Sequence, residues 1–100
     1  TWWGNNGKVR VMEDIAAPSV KNGNRFFTLG STTIQAFLDS DEEGHLITIY
    51  AQAAITIENN NATYGNSGRI LTKTGANLLL ASGNVVSFMK RSKTEYWNQI

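Results

Sequence analysis

Short runs of β-branched and aromatic residues recur along the chain, separated by Gly, Asn, Ser and Asp. That punctuation predicts strands joined by turns. It places strands at Lys8–Met12, Arg25–Leu29, Thr33–Leu38, Leu46–Tyr50, Ala54–Glu58, Arg69–Thr72, Asn77–Leu80, Asn84–Met89 and Glu95–Gln99. Several alternate with a period of two. Ile47 and Ile49 share one face, and Leu46, Thr48 and Tyr50 share the other, while Ile55 and Ile57 point together. Residues 51–54 join these two runs as a hairpin or as consecutive strands of a wider sheet. A helix over Leu46–Ile57 is the rival reading. It is rejected because six of the twelve residues are β-branched and the run ends in three Asn. A short helix at Met12–Ala17, stopped by Pro18, is the other helical option. The pattern predicts an all-β chain of about nine short strands, a sandwich or a sheet-rich oligomer.

Composition narrows the function classes. One hundred residues make one domain. Nine basic and eight acidic side chains leave a charge of +1, which offers no footprint for nucleic acid. Asn (eleven) and Thr (ten) replace charged residues as the polar component, which suits turns and strands better than helices. The chain has no cysteine, so disulfides and thiolate chemistry are excluded, and one histidine makes a His-based zinc site within one chain unfavourable. The longest mainly apolar stretch, Leu46 to Ile57, is too short for membrane insertion as a helix. Residues 1–17 read as a connector or the end of a preceding element, and residues 18–100 as a C-terminal β-domain; a start at Thr1 fits a piece of a longer protein.

The order of the segments carries a resemblance. A connector, Ala17-Pro18-Ser19-Val20, leads to Gly23–Leu29 and the Thr-rich run Thr32–Phe37. The acidic Gly turn Asp41-Glu42-Glu43-Gly44 precedes His45–Ile49, then Ile55–Asn60, a Gly/Asn loop to Gly68, Ile70-Leu71 and Leu78–Leu80. The chain closes with Ser82–Met89 and Tyr96-Trp97-Asn98-Gln99-Ile100. This series resembles the C-terminal module of bacteriophage tail spikes and tail fibres, which follows a pectate-lyase-like β-helix or another fibrous body. Where the family has Gly or Asn between its last strands, this chain has Lys90-Arg91-Ser92-Lys93-Thr94. The resemblance implies a compact antiparallel β-sandwich-like domain that forms a parallel homotrimer on a virion tail appendage, acting at the host cell surface. It implies roles in trimerisation, folding and contact with host polysaccharide, with any depolymerase activity in the parent protein. The alternative is a monomeric carbohydrate-binding module of a secreted polysaccharide-degrading enzyme.

Candidate residues follow from side-chain chemistry. Aromatic faces stack on sugar rings and Asn amides pair with hydroxyls. Tyr64, Trp2, Trp3 and Asn66 are therefore the glycan-contact candidates, with Tyr64 first because it lies in the longest loop. Ile47, Ile49, Ile55, Ile57, Val86, Phe88 and Trp97 are assigned to the core or the trimer interface. The acids Asp39, Asp41, Glu42 and Glu43 lack the spacing of a Ca²⁺ loop and read as a solvated turn. Lys90, Arg91 and Lys93 read likewise, and His45 reads as a surface or strand-start residue. No catalytic residue, cofactor or metal ligand is assigned.

Overall fold

A computed structural model of the chain describes residues 9–21, 23–39, 43–90, 92 and 94–100. The chain is all-β, with no helix among the described residues. Eight strands form: β1 (Val9–Met12), β2 (Arg25–Thr28), β3 (Leu46–Ala51), β4 (Ile55–Ile57), β5 (Ile70–Leu71), β6 (Leu78–Leu80), β7 (Val85–Lys90) and β8 (Trp97–Gln99). Six make one sheet in the order β1-β2-β3-β7-β8-β5, and β4 and β6 make a second, two-stranded sheet. The large sheet is mixed rather than antiparallel. β1, β2 and β3 run parallel, as do β5 and β8, while β7 is antiparallel to both its neighbours. Parallel neighbours need long return connections, and residues 13–24 and 29–45 supply them. Residues 14–17 form bends in place of the short helix considered for Met12–Ala17.

Alternation sets the faces. Ile47, Ile49 and Ala51 of β3 are buried, as are Val86, Phe88 and Lys90 of β7, while Leu46, Tyr50, Val85 and Met89 face outward. β3 and β4 do not pair. The chain turns at residues 52–54 and enters the second sheet, so Ile55 and Ile57 close over the core from the other side. The core joins Met12, Val20, Phe26, Ile34, Phe37, Ile70 and Leu80 to the seven residues assigned from the sequence. Phe37 packs against Phe88 (5.4 Å between centroids) and edge-on against Trp97 (5.6 Å), the geometries aromatic rings prefer.

The expected strand at Thr33–Leu38 is present as extended chain but not as a ladder. Ile34 bridges to Ile57, Ala36 to Arg69 and Leu38 to Ser19. Its partner changes every two residues, so no regular pairing propagates. The segment still buries Ile34, Ala36 and Phe37, and it satisfies its backbone piecewise: Ile34 N donates to Thr56 O, Phe37 N to Gly68 O, and Leu38 N to Pro18 O.

Two polar residues depart from expectation. His45 is buried, not at the surface: Nε2 lies 2.6 Å from the Gly23 carbonyl, and the ring meets Trp97 edge-on at 5.3 Å. Lys90 is 1% exposed and continues the inward row of β7. Its Nζ donates to Ser67 O (2.5 Å) and sits 5.7 Å from the Trp97 ring centroid. The apolar stem fills core space while the ammonium reaches a carbonyl at the edge.

Candidate binding site

The loop from Glu58 to Arg69 brings polar and aromatic groups together. It begins where β4 ends and returns where β5 starts. Asn60 takes a positive φ of 51°, which Asn tolerates better than most residues, and its N–H donates to Ile70 O (2.6 Å). Asn61 Oδ1 accepts from Thr63 N (2.9 Å), an Asx turn that starts the loop's reversal. Arg69 clamps the base. Its Nε and Nη2 both donate to Tyr64 O (3.1 and 2.7 Å), and Nη1 donates to Asn60 Oδ1 (3.2 Å). The guanidinium carbon lies 5.8 Å from the Tyr96 ring centroid.

Beside this clamp runs a hydrogen-bonded chain of side chains. Tyr64 Oη donates to Gln35 Oε1 (3.3 Å), and Gln35 Nε2 donates to Glu58 Oε2 (3.3 Å). Asn61 Nδ2 donates to Glu58 Oε1 (2.7 Å). Gln35, Glu58, Asn61, Tyr64, Arg69 and Tyr96 are all half-buried, while Asn60 and Asn66 are exposed. The result is a hydrogen-bonded surface with amide donors, amide and carboxylate acceptors, and two tyrosines. Such groups match the alternating donor and acceptor character of sugar hydroxyls.

Of the candidates from the sequence, Tyr64 and Asn66 lie in this loop. Tyr64 is half-buried rather than fully exposed, because its hydroxyl is engaged by Gln35. Trp2 and Trp3 lie outside the described residues. Ile47, Ile49, Ile55, Ile57, Val86, Phe88 and Trp97 are all buried within the single chain. Gln35, Glu58, Asn60, Asn61, Arg69 and Tyr96 escaped sequence reasoning. The available signal was Gln35, which alternation turns away from buried Ile34 and Ala36.

Three of the described acids fasten loops. Glu13 Oε1 accepts from Ser19 N (2.9 Å), Asp14 Oδ1 from Thr32 N (3.1 Å), and Glu95 Oε2 from Ser92 Oγ (3.1 Å). Glu58 is the one carboxylate in the hydrogen-bonded chain of the Tyr64 surface. Asp41 and Glu42 of the acidic run, and Arg91 and Lys93 of the basic cluster, lie outside the described residues, while Glu43 is exposed. Among the described residues, no three His, Cys, Asp or Glu side chains are grouped to hold a metal ion, and no helix is long and apolar enough to cross a membrane.

No protein family, curated protein or solved structure matches this chain.

Proposed function

We propose that this chain is a non-catalytic recognition module that binds carbohydrate through the Tyr64 surface. The reading places it as a homotrimeric C-terminal module of a phage tail spike or fibre, in contact with host cell-surface polysaccharide. The observation that carries it is the chain Tyr64–Gln35–Glu58–Asn61, braced by Arg69 and flanked by Tyr96. It fixes donors and acceptors in advance, so little side-chain entropy is lost when hydroxyls replace water. A single carboxylate in that chain suits binding better than glycoside cleavage, which uses two carboxyls flanking the bond.

The second reading, a monomeric carbohydrate-binding module of a secreted enzyme, is favoured by one observation. The core is filled by residues of one chain, from Ile34 and Ile47 to Trp97.

A glycan array followed by titration calorimetry tests the shared element. The chain binds a polysaccharide, and Tyr64→Ala and Glu58→Gln weaken that binding at least ten-fold while the fold persists. Absence of binding to any glycan, or equal binding by both variants, overturns the proposal. Solution mass separates the two readings: three chains for the spike module, one for the monomeric module.

A further inference from the structure

The large sheet has two faces, and among the described residues the core covers only one. Cross-strand register builds rows on the other: Val9, Arg25, Thr48 and Ser87, then Val11, Phe27, Tyr50 and Val85. Leu46 and Met89 stand opposite one another in a third row. Val9, Val11, Leu46, Tyr50, Val85 and Met89 are between 41% and 61% exposed. Arg25 is the one charged residue in these rows. A groove of about 410 Å³ runs along the face, lined by Val9, Arg25, Phe27, Thr48, Tyr50 and Val85.

We infer that this open face is the surface through which copies of the chain associate. The inference rests on the homo-oligomeric reading given above and names the face that serves it. The six residues expose on the order of 500 Å² together, more than half of the roughly 800 Å² per partner that a stable interface buries. The six are mainly aliphatic, with Tyr50 and Met89 among them, and Lys, Glu and Asp are absent from the three rows, the depletion of charge that marks an interface centre. The Thr48 and Ser87 hydroxyls bond each other (2.9 Å), which leaves fewer polar groups on this face for a polysaccharide. A copy of the same face supplies apolar surface against apolar surface, and two sheets of the same twist stack at about 10 Å.

The test uses light scattering on a size-exclusion column across a dilution series. The wild-type chain is compared with Tyr50→Lys and with Val85→Lys/Met89→Lys, while circular dichroism monitors the fold. These positions are exposed, so the variants keep the β-sheet spectrum. Expected is an oligomeric wild type whose assembly midpoint shifts at least ten-fold to higher concentration in both variants. Because the natural chain has no cysteine, Met89→Cys gives a second readout: oxidation links chains only if the faces meet. An oligomer unaffected by the lysine variants, and without that cross-link, overturns the face and leaves the oligomeric reading standing. A wild type that is monomeric throughout overturns both.

Discussion

Lys90 Nζ lies 5.7 Å from the centre of the Trp97 indole, and both residues are almost wholly buried. β7 and β8 pair these two positions directly. The lysine stem and the indole therefore form one packed layer at the end of the core. A buried cation over a ring gains attraction, but it also carries a desolvation cost. Packing of the stem is the larger contribution. Lys90→Met therefore costs less than Lys90→Ala, which loses about 2–4 kcal/mol through the cavity it opens. Urea unfolding of the two variants checks the order; equal losses would assign the stability to the ammonium instead.

Ile57 sits at the meeting point of the two sheets. It pairs with Leu78 in the small sheet and bridges to Ile34 from the extended segment. Ile57→Ala should remove about 2–5 kcal/mol, read as a fall in the thermal midpoint. Ile57→Asp and Ile49→Asp place an unpaired charge in the same core and should leave no cooperative transition.

Thr28 Oγ1 is buried without a hydrogen-bond partner among the described residues. An unmade hydrogen bond in the interior costs about 1–3 kcal/mol. Thr28→Val keeps the shape and removes the hydroxyl. A gain of about 1 kcal/mol is expected from chemical denaturation, and a loss would show that the hydroxyl is satisfied.

Arg69 makes three hydrogen bonds with a planar fork of donors. Lysine brings charge without that geometry. Arg69→Lys should speed amide exchange across residues 60–66 and weaken glycan binding several-fold, with little change in overall stability. Unchanged exchange in the loop would refute the clamp.

Gly83 lies in the turn between β6 and β7, with φ of 90° and its N–H donating to Ala51 O (2.7 Å). A side chain strains that backbone even where space is open. Gly83→Ala should cost about 1 kcal/mol or more, measured by thermal melting.

Much of the strand content is legible from alternation alone. β3 and β7 show it best: Ile47, Ile49, Val86 and Phe88 stand inward as their spacing requires. Direction of pairing is not legible there, because it depends on where long connections lead. Residues 29–45 could not announce that they return the chain to run parallel beside β2. The burial of His45 and Lys90 was hidden for a related reason. A charged or titratable residue beside a turn looks solvated until its distant partners, the Gly23 carbonyl and the Trp97 ring, are in place. The Tyr64 surface was half visible. The loop and its tyrosine stand out, but Gln35 is 29 residues away in the chain and only the fold joins them.

The strand order also governs how the chain matures during synthesis. β3 occupies the middle of the large sheet, between β2, which precedes it, and β7, which follows it by more than thirty residues. While the ribosome is still translating that interval, the edge of β3 that β7 will occupy has no strand to meet. β8 and β5 cannot join the sheet until Trp97–Gln99 have been made, because among the described residues β8 links β5 to β7. Such non-local pairing slows folding. A nascent chain that stalls before Trp97 therefore holds an incomplete sheet, and Trp97–Gln99 act as the latch that joins β5 to β7.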